Sequence, residues 1–182
     1  MNSLGFNMIF ETERLSVRRY QAGDGENFFR MNGDEEIVRY IRPAKSREEC
    51  DQFLLEVIKY SEDNPLFGRW AVNEKLSGSF VGTFAIIPVE GSSNFQVGYS
   101  LVKKAWGKGY ASELTLAGTS YFFENTSSNE LFALTESANI PSQKVLVKGG
   151  FIQSAVRPEG GKDVLEFVIK RNDFYEVKAV TG

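Results

Sequence analysis

The junction at residues 95–111 restricts the fold more than any other stretch of this chain. Phe95, Val97, Tyr99 and Leu101 alternate with Gln96, Gly98 and Ser100, the two-residue period of a strand. A turn carrying Gly107 and Gly109 follows directly, and a helix is predicted from there to about Glu124. Around this strand–turn–helix the other elements fall into a mixed order. Residues 14–20 alternate as a half-buried strand, with Leu15 and Val17 on one face. Residues 24–41 read as two short helices interrupted at Gly25 and Gly33. Cys50, Phe53, Leu54, Val57 and Ile58 form the stripe of an amphipathic helix over residues 47–62, and Cys50 reads as a packed thiol on it. Strands are predicted at 70–72 and 80–87 across a turn at 73–78, and at 131–135. A short helix follows at 141–148, with Pro141 in its first turn and Gly149 as its cap. A hairpin at 151–157 and 164–170 turns at Gly160-Gly161. Several strands are neighbours in sequence, so the chain reads as α/β of the α+β kind, and a doubly wound sheet is not its natural solution.

Composition removes whole mechanisms. The chain has no histidine and one cysteine. A Ser-His-Asp or Cys-His device, a His-containing or Cys-rich metal site and an intrachain disulfide are all excluded, so no metal is expected. A base must be a carboxylate, Lys, Tyr, water or the substrate. The 182 residues suit one domain over 1–182, with flexible ends expected at 1–10 and 176–182. A net charge of −3 gives no global footprint for nucleic acid, and no apolar run reaches the length of a membrane span. The first ten residues lack a basic stretch followed by an apolar one, so a cytoplasmic protein is expected.

The segment Trp106-Gly107-Lys108-Gly109-Tyr110-Ala111 carries the chemistry. Closely spaced glycines leave backbone N–H groups unshielded, and the following helix aims its positive end at the same spot. That is a site for a phosphate or pyrophosphate, with Lys103, Lys104 and Lys108 adding local charge. A plain tight turn with solvated lysines fits the composition equally well. A Walker loop fails because Gly109, not Ser or Thr, follows Lys108. A dinucleotide fingerprint fails because position 112 is Ser.

From about Glu11 to Tyr175 the sequence resembles the GNAT acyl-CoA N-acyltransferases, and within them the Rim-type ribosomal-protein N-terminal acetyltransferases. The resemblance rests on Thr12-Glu13-Arg14-Leu15 with Arg18, on Val97-Gly98-Tyr99-Ser100-Leu101, on Gly107 through Glu113, and on Asn139, Ser142 and Gly150-Phe151. It implies a single-domain fold with a twisted, mostly antiparallel sheet of about seven strands. Two central parallel strands would splay, and about four helices would flank the sheet. It implies acetyl-CoA as cosubstrate, its pyrophosphate cradled by Gly107, Lys108, Gly109, Tyr110, Ala111 and Ser112. The backbone of Tyr99, Ser100 and Leu101 would run beside the pantetheine arm, and Asn139 would bond the cofactor. Trp106 stands where the family motif has Gln or Arg, which leaves a backbone N–H as that position's contribution.

The same resemblance nominates Ser142 as thiolate partner or proton donor, against a helix first-turn hydroxyl bonding backbone. Tyr, common seven residues after the Asn in this family, is here Leu146, and two family positions for Glu are Leu134 and Gln96. Glu159 is the nominated base, with Glu136 and Glu90 behind it. The implied activity is acetyl-CoA-dependent N-acetyl transfer to a primary amine. A protein N-terminus is the first acceptor, a polyamine or aminoglycoside-like amine the second, and a non-catalytic acyl-CoA-binding module the rival. The expected state is monomer or homodimer.

Overall fold

The computed structural model describes residues 7–181, with side chains through Glu176. The chain enters through two strands, β1 (Met8–Glu11) and β2 (Leu15–Arg19). Three helices follow, α1 (Gly25–Asn32), α2 (Glu35–Val38) and α3 (Arg47–Asp63). A meander of β3 (Gly68–Glu74), β4 (Phe80–Pro88) and β5 (Phe95–Leu101) leads into α4 (Tyr110–Asn125). Then come β6 (Glu130–Glu136), α5 (Ile140–Lys148), β7 (Ile152–Glu159), β8 (Lys162–Lys170) and α6 (Arg171–Thr181). Asp34 caps α2 by accepting from the N–H groups of Glu36 and Ile37. Ser46 and Glu49 form a reciprocal capping box at the start of α3, which fixes where that helix begins.

All eight strands join one sheet in the order β1-β2-β3-β4-β5-β6-β8-β7. Every neighbouring pair is antiparallel except β5 and β6. Two apolar layers sandwich the sheet. On one face Trp70 stacks over Phe84 at 6.4 Å and meets Tyr121 of α4 edge-on. On the other, Tyr20, Phe28 of α1 and Phe53 of α3 pack edge to face. Cys50 is 1% exposed within this second layer, and burial pushes its thiol up, as a packed core cysteine requires.

The expected fold needs two corrections of count. Among the described residues there are eight strands, not about seven, because four-residue β1 pairs with β2 through an irregular register. The same residues hold six α-helices, not about four: α6 follows β8 directly and is held by Phe174, 1% exposed, packed on Phe123. Parts of β1 and α6 lie within the segments 1–10 and 176–182. Phe10 lies against Phe84 and Tyr121, and the helix continues to Thr181; residues 1–6 and 182 lie outside the described residues.

Candidate active site

The site begins where the sheet fails to close. β5 and β6 register at a single pair, Gln96 opposite Phe132, close to the start of both strands. Beyond it the two strands part toward their C-terminal ends at Leu101 and Glu136. On its other side β5 is fully paired with β4, and the Val102 N–H donates to the Val81 carbonyl at 3.0 Å. Strand alternation therefore turns the backbone groups of Gly98 and Ser100 to β4, and those of Tyr99 and Leu101 to the opening. The Leu101 carbonyl accepts there from the Trp106 indole at 2.7 Å. Trp106 thus contributes a side-chain contact after all, as a brace between β5 and the turn.

That turn delivers the start of α4 to the same opening. Gly107 and Gly109 hold φ of 72° and 80°, left-handed values that a residue with a Cβ resists. Gly109 is the N-cap of α4 and brings no side-chain cap. Glu113 closes the first helical turn by donating to the Gly109 carbonyl at 3.2 Å. The N–H groups of Tyr110, Ala111 and Ser112 precede it and have no partner within the helix. A Cβ at Gly107 would meet nothing within 4 Å, so the cradle is open. Donors, helix dipole and open space together fit a phosphate. Tyr110 offers backbone alone: its ring is buried and its hydroxyl donates to Glu74. Lys103 is committed elsewhere, to Asp34 at 3.0 Å and Glu36 at 2.6 Å on α2. Lys108 lies over the Tyr110 ring at 5.7 Å.

Sequence reasoning saw Thr12, Arg14 and Glu113 only as pieces of a pattern. The structure shows them clasping the cradle. The Glu113 carboxylate accepts from the Thr12 hydroxyl at 2.5 Å, from the Arg14 N–H at 2.9 Å and from Arg14 Nε at 2.7 Å. Arg14 also donates to the Lys108 carbonyl at 3.0 Å and stacks on Tyr110 at 4.7 Å. β1–β2 thereby fixes the turn between the two glycines. Burial works against the charged carboxylate of Glu113, but bonds from Thr12 and Arg14 prevail and hold it below the usual range. A group depressed in the folded state stabilises above its unfolded value and loses that contribution as pH falls through its folded value. The melting-temperature gap between the wild type and Glu113→Gln is therefore expected to stay constant from pH 5 to 8 and to shrink below about pH 4. Thermal melts across that range check it.

Across the opening, Asn139 is the N-cap of α5 and accepts from the Ser142 N–H at 3.3 Å through Oδ1. Its amide Nδ2 has no partner among the described residues. Ser142 does not spend its hydroxyl on backbone. Its Oγ accepts from the Tyr99 hydroxyl at 3.4 Å, so β5 and α5 meet across the splayed strands. Burial raises the Tyr99 phenol, with the Ser142 bond opposing, and the phenol stays protonated at neutral pH. The Tyr99 side chain reaches the opening through this bond, where the sequence pointed only to the backbone of its strand. Leu146, at the family's usual Tyr position, is 2% exposed in the core.

The carboxylates are less well placed. Glu136 is paired with Lys162 at 2.7 Å. Glu159 sits exposed at the tip of the β7–β8 hairpin, at the same end of the sheet as Asn139, and no contact joins it to Tyr99 or Ser142 among the described residues. Glu90 follows β4 and lies at the opposite end of β5, away from the opening.

The sequence profile of the acetyltransferase (GNAT) domain matches residues 14–152. This chain belongs to the GNAT family. It is 25% identical over 153 residues to the uncharacterized N-acetyltransferase YoaA of Bacillus subtilis, over 81% of this chain and 85% of that protein. The fold matches the ribosomal-protein-S5-alanine acetyltransferase of Vibrio fischeri with a TM-score of 0.73 at 20% identity, over 91% of this chain and 97% of that one. It matches the spermidine N-acetyltransferase of Vibrio cholerae, solved with CoA and spermine, with a TM-score of 0.76 at 18% identity, over 89% and 98% of the two chains. The GNAT domain is thus an acetyltransferase domain, with Rim-type enzymes among its structural neighbours. Among the described residues no helix is long and apolar enough to cross a membrane, and no group of three or more His, Cys, Asp or Glu is placed to hold a metal.

Proposed function

We propose that this GNAT domain transfers acetyl from acetyl-CoA to a primary amine by direct attack, with a peptide α-amine as the preferred acceptor. One observation carries the reading. The splayed strands place open backbone donors of β5, the N-terminus of α4 and the Tyr99–Ser142 hydroxyl pair around a single opening. Gly107, Lys108, Gly109, Tyr110, Ala111 and Ser112 supply the pyrophosphate cradle. The backbone of Tyr99, Ser100 and Leu101 lines the pantetheine path, with the Leu101 N–H aimed at the thioester carbonyl, and Asn139 offers its free amide. The neutral amine nitrogen bonds to the thioester carbon and gives its extra proton to water, the C–S bond breaks, and the thiolate takes a proton from Ser142, which regains one through Tyr99 and solvent. Tyr99, buried and protonated, donates to Ser142 behind it.

The sparse carboxylates also speak to the acceptor. An α-amine with a pKa of about 8 is neutral in roughly a tenth of molecules at pH 7, a cost of about 1.4 kcal/mol. A lysine side chain near 10.4 costs about 4.6 kcal/mol. A site in which, among the described residues, no carboxylate contacts Tyr99, Ser142 or Asn139 suits the first, with water taking the proton.

Release of the CoA thiol from acetyl-CoA, followed with N-terminal peptides, polyamines and aminoglycosides, tests this. Ser142→Ala is expected to lower kcat by about 100-fold and Tyr99→Phe by about tenfold, with little change in KM for acetyl-CoA. Binding of acetyl-CoA with no release for any acceptor would establish a non-catalytic module instead. Equal turnover on matched α- and ε-amines at one pH would sink the acceptor preference.

A further inference from the structure

The face of the sheet opposite α4 carries two guanidinium groups that nothing in the mechanism uses. Arg69 lies on β3, and strand alternation turns it away from Trp70 and α4 toward α3. There its guanidinium sits 5.9 Å from the centre of the Phe53 ring. Arg42, from the α2–α3 connection, lies 5.4 Å from the same ring, and the Lys45 ammonium 5.5 Å from it. Lys45 has Glu49 beside it. The two arginines have no such answer. Among the described residues neither forms an ion pair. Arg42 donates to the amide oxygen of Asn32; among the described residues its buried Nε has no partner and Arg69 has no hydrogen-bond partner. Residues 1–6 and 177–182 contain no Asp or Glu to supply one. Burial lowers both groups from the usual arginine value, and the charge of Arg42 lowers Arg69 further. Two part-buried like charges without a counter-ion cost stability, so an anion from outside is what would complete them.

Their place in the sheet says which anion. Arg69 is registered opposite Ala85 of β4, and Ala85 opposite Gly98 of β5. These three share one face, and a Cβ at Gly98 would meet nothing within 4 Å. Small residues, Ala85 buried and Gly98 half-buried, therefore separate Arg69 from the opening that β5 borders. Two interstrand spacings make that separation about 10 Å. Tyr99, next to Gly98, points to the other face and to Ser142.

We propose that Arg69 and Arg42 form the acceptor subsite of this domain, which holds a carboxylate on the amine substrate while the amine reaches the opening from the α3 face. The substrate class is then a primary amine bearing a carboxylate about 10 Å away, whether a small amino acid-like molecule or a peptide with an acidic residue near its N-terminus. The inference rests on the acetyltransferase reading above. A polycationic acceptor is disfavoured by the same two charges.

The test compares acceptors that differ only in the anion: 7-aminoheptanoate, which reaches about 10 Å when extended, with 7-aminoheptanamide, and a Ser-Glu peptide with its Ser-Gln partner. Wild-type kcat/KM is expected to favour the carboxylate at least about tenfold in one pair, and the pair that shows it identifies the source. In Arg69→Gln the preference is expected to fall toward one, with affinity for CoA unchanged, and Arg69→Lys to keep part of it. Removing an uncompensated charge is also expected to leave the melting temperature of Arg69→Gln equal to or above the wild type; a structural arginine would lower it. Thermal protection by 7-aminoheptanoate and by the Ser-Glu peptide, each against its amide partner, reads the subsite without turnover. If no acceptor releases CoA thiol, the acetyltransferase reading fails and this protection still decides the subsite. Equal behaviour of acid and amide in both pairs, or a preference that survives Arg69→Gln, overturns the proposal.

Discussion

Gly118→Ala is expected to destabilise the domain by roughly 3 kcal/mol and lower its melting temperature by about 6–12 °C. A Cβ at Gly118 would lie 2.0 Å from Cζ of Phe84, far inside contact distance. Helix propensity alone argues the other way, since Ala is about 1 kcal/mol better than Gly inside a helix. The clash wins because Phe84 has nowhere to go. It is 0% exposed, with Phe10 edge-on at 5.5 Å and Trp70 stacked at 6.4 Å. The remaining relief is to lift α4 off β4.

That movement would reach the site, because the first turn of α4 carries the N–H groups of the cradle. Weaker CoA binding is therefore expected even well below the melting temperature. Phe84→Leu in the Gly118→Ala background should restore much of both losses, although Phe84→Leu alone opens a cavity and destabilises. Melts and CoA titrations of the two single variants and the double variant check the coupling. A melting temperature unchanged in Gly118→Ala would mean that the helix and sheet are not in this contact.

Local pattern reached the elements whose neighbours in space are neighbours in sequence. The strand at Phe95–Leu101 shows its period over seven residues and is found at those bounds. The helix at Arg47–Asp63 carries its own capping box and apolar stripe. β1 has four residues, too few for alternation to register, and α6 is held by Phe174 packed on an element some fifty residues earlier. The site divides the same way. The glycine turn is legible because left-handed backbone calls for glycine at two close positions. The clasp of Arg14 on Glu113 spans 99 residues and the Tyr99–Ser142 contact 43, distances over which no periodicity carries information. Lys103 looked like part of the cradle because nothing local shows that α2 folds back to take it.

The second large effect is expected at Gly109, where strain and function can be separated. Its φ of 80° costs a residue with a Cβ about 1–2 kcal/mol, although the space is not closed, Arg14 being 3.5 Å from where the Cβ would stand. The turn can relieve that strain by rotating, and rotation turns the N–H groups of residues 110–112 away from the cradle. Affinity for CoA is therefore expected to fall at least about tenfold in Gly109→Ala and about 100-fold in Gly109→Val. Gly109→Asn, which tolerates the left-handed region, should lose least. Gly91 supplies the control: its φ is 72°, its surroundings are open, and it lies in the β4–β5 connection at the far end of β5. Gly91→Val should give a similar loss of melting temperature with CoA affinity unchanged. If titration shows the two valine variants binding CoA equally well, the backbone of this turn is not what holds the phosphate.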